Sequence, residues 1–161
     1  MIIAETLLPK LSEWEPTGPE RQFFSQALAE SGWSLHLAAD RVDTLGCLLW
    51  EATFVKAHQS QPVPNAELRE SATGIADRVT CLMEPLHFLE LDETQCVALL
   101  RSESPAKRGA TLSYYEVVMK GGREILVRRY QVNPEKGSRR NQIAFALTHE
   151  AIAKLADDLA G

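Results

Sequence analysis

Cysteine is scarce in this sequence, and its spacing excludes two kinds of structure. The three cysteines, Cys47, Cys81 and Cys96, are odd in number and far apart, so they provide neither a disulfide framework nor a CxxC metal or redox site. The four histidines form no HxH or HxxxH pair. Ala153 stands where the zinc motif begun by His149-Glu150 needs its second histidine. We therefore predict no metal and no cofactor.

Long apolar runs are also missing. The apolar residues at the N-terminus are interrupted by Glu5, Lys10 and Glu13, and no basic region precedes them. A signal peptide has a basic start before its apolar stretch, and a membrane-spanning helix needs about 20 apolar residues. We therefore expect no membrane segment and a cytoplasmic protein, in which the cysteines stay reduced.

Catalytic and nucleotide-binding motifs are absent as well. The sequence contains no G-x-G-x-x-G, G-x-x-x-x-G-K-[ST] or G-x-S-x-G, so neither a phosphate-binding turn nor a nucleophile elbow is indicated. The best catalytic hypothesis is His87 acting as a base beside Glu90, and it requires a deep pocket around both residues. A single histidine on a strand is more often structural, so we assign no catalytic residue.

The composition is that of an ordinary globular domain. Of the 161 residues, 45% are hydrophobic and 24% are charged, which is enough apolar material for a buried core. We expect an irregular leader over residues 1–18, with a short strand possible at 1–8. A single domain is expected over residues 19–161.

In the first half of this domain the pattern predicts a helix, two strands and a second helix. Residues 44–56 fit both helical and strand spacing, and the cluster of Trp, Thr, Phe and Val at 50–55 favours a strand, with a helix as the alternative. The predicted elements are a helix from Pro19 to Gly32, a strand from Trp33, a strand at 44–56 and a helix from Asn65 to about Met83.

The second half alternates apolar and polar residues, which is typical of strands. Five strands are predicted, at 86–91, 95–101, 111–120, 123–132 and 142–147, before a last helix capped by Thr148. The order α-ββ-α-βββββ-α predicts an α+β fold, an antiparallel β-meander sheet with amphipathic helices packed on one face. A faint likeness between residues 35–47 and 86–96 leaves a duplication open.

Charge is unevenly distributed along the chain. Residues 101–141 contain ten basic and four acidic side chains, while the whole chain has a formal charge of −5. This segment therefore carries +6 and the remaining residues carry −11. Such segregation indicates a local surface that attracts anions on an otherwise acidic protein.

Part of this basic segment has a structural explanation. Gly121-Gly122 predicts a two-residue hairpin turn, because both central positions of a type I′ turn need positive φ. In that register Tyr115 faces Arg128, Tyr114 faces Arg129, and Glu116 lies diagonal to Arg129. Arginine stacked on tyrosine is favourable across strands, so we interpret the arginines of this hairpin as scaffold.

The loops at the far end of the hairpin are the predicted binding site. In a meander the loops at 102–110 and 133–141 leave the sheet at the same end, and both are rich in turn-forming residues. Together they carry five cations suited to a phosphate, an acidic peptide or a nucleic-acid backbone. The five are Lys107, Arg108, Lys136, Arg139 and Arg140.

Three functions follow in order of preference. The first is a non-enzymatic module that binds another protein or forms a homodimer, because an antiparallel sheet offers edges and a face to a partner. Trp14, Trp33 and Trp50 are its candidate anchors if they are exposed. The alternative is a nucleic-acid or phosphate-ligand binder that uses the five cations. A small-molecule enzyme is third.

Overall fold

The computed structural model describes residues 2–57, 61–137 and 139–161. In these ranges the chain forms three α-helices and a ten-stranded open antiparallel sheet, which confirms the α+β class. The helices are α1 (Ile2–Glu13), α2 (Asn65–Arg78) and α3 (His149–Ala160). The strands are β1 (Gln22–Ala27), β2 (Trp33–Val42), β3 (Gly46–Lys56), β4 (Leu86–Asp92), β5 (Val97–Ser102), β6 (Ala106–Arg108), β7 (Thr111–Lys120), β8 (Glu124–Val132), β9 (Asn141–Ile143) and β10 (Phe145–Thr148). None of these helices is long and apolar enough to cross a membrane.

Two meanders join side by side to make the sheet. The strand order is β1-β2-β3-β8-β7-β5-β4, with β6 added to β7. At the join, residues 52–55 of β3 pair with residues 124–127 of β8. The other half of β3 pairs with β10, and the other half of β8 pairs with β9. The predicted strand at 142–147 is therefore two short strands, which fill the gap where β3 and β8 diverge.

The predicted secondary structure of the N-terminal segment is wrong. Most of the segment expected to be an irregular leader is the helix α1, which includes residues 2–8 of the short strand expected at 1–8; Met1 lies outside the described residues. Ile3, Leu7 and Leu11 repeat every four residues and are buried in the core, so the helix is stabilised by the burial of one apolar stripe. Pro9 lies inside this helix and weakens its signal in the sequence.

The helix predicted from Pro19 to Gly32 is also wrong, because β1 occupies Gln22–Ala27. Phe23 and Phe24 are adjacent in the sequence and point to opposite sides of this strand. Phe24 packs on Trp14, with ring centroids 5.1 Å apart, while Phe23 is 74% exposed. Pairing with β2 along the whole strand decides the structure here, since intrinsic helix preference is a weak influence.

Two further elements test the prediction closely. The strand at 44–56 is confirmed as β3, which pairs on both sides. The second helix begins at Asn65 as predicted but ends at Arg78, because Val79 turns to an extended conformation with φ −75° and ψ 110°. Val79 and Leu82 are buried all the same, which explains why they continued the helical spacing in the sequence.

One core cluster joins the three helices to the sheet, with Phe54 fully buried in β3. Packing of all the helices on one face of the sheet stays a prediction. Three other buried apolar side chains, Ala38, Leu126 and Tyr130, lie outside this cluster. They alternate with core positions along their strands and therefore point to the opposite side of the sheet. We call that side the outer face.

Candidate functional site: the β1 edge and the basic rim

Strand β1 is one end of the seven-strand order in the described part of the chain and β4 is the other, while the short strands β6, β9 and β10 also pair on one side only. Leu28 N–H donates to the Trp33 carbonyl at 2.9 Å, and the same register continues through β1 and β2. Because hydrogen-bonded and non-hydrogen-bonded pairs alternate in an antiparallel ladder, Gln26 and Phe24 bond to β2. The N–H and C=O groups of Phe23, Ser25 and Ala27 therefore point away from β2.

The two edges differ in how they discourage pairing with another chain. Strand β4 contains Glu90 and Asp92, is followed by Glu93, and has a β-bulge between Phe88 and Glu90. Charges and bulges are the usual means of blocking a sheet edge. Strand β1 has the sequence Gln-Phe-Phe-Ser-Gln-Ala, without charge or proline, and its register with β2 is regular. The β1 edge therefore lacks these protections.

The three tryptophans are half-buried and contact neighbouring side chains. Trp14 packs on Phe24. The guanidinium of Arg21 lies 4.4 Å from the ring centroid of Trp50, and the ammonium of Lys56 lies 5.6 Å from that of Trp33. The exposed large aromatic side chain near the β1 edge is Phe23 instead.

The Gly-Gly hairpin has the predicted turn but a different register. Gly121 and Gly122 both have positive φ, 61° and 71°, and Arg123 N–H donates to the Lys120 carbonyl at 3.0 Å, as in a type I′ turn. Arg123 has no partner residue in β7 and is therefore an additional bulged residue, and its carbonyl accepts from Lys56 N–H of β3. Lys120 consequently pairs with Glu124, and every partner shifts by one residue.

This shift changes which aromatic residue each arginine meets. Tyr115 pairs with Arg129, whose guanidinium lies 4.3 Å from the tyrosine ring centroid. Arg129 also forms an ion pair with Glu84 at 2.9 Å. Tyr114 pairs with Tyr130 instead of Arg129. The structural interpretation of the hairpin arginines agrees with these contacts, although the predicted partners are wrong.

Charged side chains on the outer face pair with one another across the strands. Arg128 binds Glu51 at 2.8 Å, and Arg101 binds Glu116 at 2.9 Å. Glu116 is buried and also accepts from Arg140 at 2.5 Å. Because the carboxylates of Glu51 and Glu116 already bind these arginines, the charges on the outer face largely neutralise one another and attract a charged ligand only weakly.

The structure brings the two predicted loops together at one end of the sheet. A cavity of about 250 Å³ is lined by Lys107, Gly109, Ala110 and Leu112 from one side and by Pro134 and Glu135 from the other. The first loop is more regular than expected, since β6 pairs with β7. In the second, Asn133 caps a one-turn 3-10 helix at Pro134–Lys136.

Four of the five predicted cations are exposed there and form no ion pair with any residue of the described ranges. We call these four, Lys107, Arg108, Lys136 and Arg139, the basic rim. Arg140 differs, because its guanidinium binds Glu116 and lies 3.9 Å from the ring centroid of Tyr130. Sequence spacing alone did not reveal this, since Glu116 is 24 residues away along the chain.

The remaining candidate catalytic and metal-binding side chains lie elsewhere in the fold. His87 and Glu90 are both exposed on the edge strand β4. The described residues contain no group of three His, Cys, Asp or Glu side chains placed to hold a metal ion. Burial raises the pKa of the Cys47 and Cys81 thiols to about 11, so neither is an active nucleophile at neutral pH.

Comparisons with protein-family models, with curated proteins and with solved structures find no match to this chain.

Proposed function

We propose that this protein is a non-enzymatic interaction module that binds a protein chain by strand addition at β1, and that the bound chain is a second copy of itself. The observation that carries the proposal is the unprotected β1 edge, with the backbone groups of Phe23, Ser25 and Ala27 pointing outward. An extended segment that pairs with such an edge satisfies these groups through main-chain hydrogen bonds. The three free thiols support a cytoplasmic setting for this role.

A second copy fits this edge for reasons of symmetry and charge. Two β1 strands related by a twofold axis pair antiparallel, with Ser25 opposite Ser25 and Phe23 opposite Ala27. No like charges meet, because the strand is uncharged. Pairing of two β4 strands would instead bring four carboxylates into one interface, because each strand contains Glu90 and Asp92. Self-association is therefore directed to β1.

Substitution of Ser25 tests the proposed dimer. We expect light scattering after gel filtration to give twice the chain mass of 17.9 kDa for the unaltered protein and the single mass for Ser25→Pro. Proline removes the outward N–H of residue 25, which takes no part in the β1–β2 ladder, so the variant should still fold, with a far-UV circular dichroism spectrum like that of the unaltered protein.

Two further variants keep this test decisive. Ser25→Thr retains the N–H and should remain dimeric. Ser25→Lys keeps the backbone intact but places two ammonium groups opposite each other, so it should be monomeric. If the unaltered protein is monomeric at all concentrations, self-association is contradicted. If an extended peptide then binds the unaltered protein but not Ser25→Pro, the β1 edge binds a different chain.

A second candidate function is the binding of a polyanion at the basic rim. The observation in its favour is that two loops distant in sequence converge on one cavity and expose four cations that form no ion pair with the described residues. Phosphate groups of a nucleic acid or of another ligand suit such cations. Arg140 is outside this proposal, because its guanidinium is held by Glu116.

Heparin chromatography tests the rim. We expect Lys107→Ala combined with Arg139→Ala to elute at clearly lower salt and to reduce the slope of log affinity against log salt by about 2. Lys10→Ala combined with Arg41→Ala is the matched control, since it removes the same charge from exposed positions elsewhere. Equal elution of the two double variants contradicts a localised site.

A further inference from the structure

A cavity of about 200 Å³ lies between α2, the turn of the β7–β8 hairpin and the end of α3. Its buried apolar lining comes from four elements, α2, β7, β8 and α3, and consists of Leu68, Ile75, Met119, Ile125 and Leu159. Its polar lining consists of Lys56, Glu67, Ser71 and Arg78, and the last residue, Gly161, also borders it. An apolar floor with a few polar groups at the mouth is the usual form of a small-molecule site.

Arg78 is held in place at this mouth. Its Nε and Nη2 groups donate to the Asp158 carbonyl of α3 at 3.3 and 3.0 Å, which leaves Nη1 for another acceptor. A Cβ added at Gly74 would lie 2.7 Å from Nη1 of Arg78. A glycine inside a helix costs about 1 kcal/mol relative to alanine, and here it leaves room for the guanidinium to fold back over α2.

Lys56 approaches the same cavity from the end of β3. Its ammonium group lies 5.6 Å from the ring centroid of Trp33. Neither Lys56 nor Arg78 forms an ion pair with a residue of the described ranges, although Glu67 lines the cavity too. Two cationic side chains and one carboxylate side chain therefore line the mouth, and both cations remain available to an anionic group.

We propose that this cavity binds a small organic carboxylate with a compact apolar body. Lys56 and Arg78 hold the carboxylate, Ser71 donates its hydroxyl to it, and the apolar body rests against Met119 and Leu159. The volume corresponds to roughly seven waters of liquid, which suits a single aromatic ring or a short branched chain. This site is separate from the β1 edge and from the basic rim.

Titration with benzoate, followed by amide chemical shifts and calorimetry, tests the proposal. We expect saturable binding with shifts centred on Ser71 and Met119, and much weaker binding of the neutral analogue benzamide. Lys56→Met and Arg78→Met should each weaken benzoate binding about tenfold or more, which corresponds to about 1.4 kcal/mol. Arg69→Met is the control on the same helix, since Arg69 does not line the cavity.

Each alternative result overturns a definite part of the proposal. Equal binding of benzamide and benzoate means that the cavity selects apolar bodies without recognising charge. Benzoate binding that both Lys56→Met and Arg78→Met leave unchanged places the ligand elsewhere. Because Arg78 also bonds to α3, Lys56→Met provides the test if Arg78→Met fails to fold. The absence of any saturable shift with benzoate rules the site out.

Discussion

Replacement of Glu84 by alanine is expected to lower the free energy of unfolding by about 3–5 kcal/mol. Glu84 and Arg129 are both largely buried, with 17% and 14% of their side chains exposed, and they pair at 2.9 Å. Without the carboxylate, the Arg129 cation keeps its contact with the ring of Tyr115, and its Nη1 already has no hydrogen-bond partner among the described residues. Urea unfolding followed by tryptophan fluorescence measures the loss.

The Glu84 carboxylate also binds an uncharged group, the hydroxyl of Ser102. The Ser102 hydroxyl donates to Glu84 at 2.7 Å and accepts from Tyr115 N–H at 2.8 Å. Glu103→Ala, at an exposed neighbouring acid, should change stability by about 0.5 kcal/mol or less. The double variant Glu84→Met, Arg129→Met should recover much of the loss, because no unpaired charge remains. A loss below about 1 kcal/mol for Glu84→Ala would mean that Arg129 reaches water.

Glu116→Gln is expected to cost about 2–3 kcal/mol of stability. Glu116 is buried and its carboxylate binds Arg101 and Arg140. Hydrogen bonds to charged groups contribute about 1.5–3 kcal/mol each. The expected loss is discounted here, because the two arginines have 38% and 39% of their side chains exposed and can turn toward solvent. Chemical unfolding again provides the measurement.

Heparin chromatography of Glu116→Gln tests whether Glu116 keeps Arg140 from binding anions together with the basic rim. Removing the Glu116 charge releases Arg101 and Arg140, so heparin retention should increase. Glu124→Gln, on the neighbouring strand, removes one negative charge without releasing either arginine and should have a smaller effect. If both variants are retained equally, Arg140 is not restrained by Glu116 in solution.

Much of the fold could be predicted from the sequence where burial alternates cleanly. The strand at 44–56, the start of α2 at Asn65 and the Thr148 cap of α3 are all confirmed; Thr148 Oγ1 accepts from Ala151 N–H at 3.0 Å. The secondary structure predicted for residues 1–18 and 19–32 was wrong, because the apolar residues in these segments fit either a helix or a strand. Packing of α1 in the core and pairing of β1 with β2 decide between them.

The candidate sites were predictable only in part. The basic residues are concentrated in 101–141, and this concentration, which is visible in the sequence, identified the two loops that meet at the basic rim. The pairing of Arg140 with Glu116 and the one-residue bulge at Arg123 depend on neighbouring strands. The β1 edge was missed because an edge is a property of the strand order, which local sequence does not contain.

The sequence by itself determined the α+β class, the antiparallel pairing of most strands and the position of the positive charge, since these follow from side-chain periodicity and composition. The tertiary structure decided which strands are edges, which arginines are bound and where a cavity remains between α2 and α3. Those features arise from contacts between residues far apart in the chain. Their energies depend on burial and on geometry, which are known only after the chain has folded.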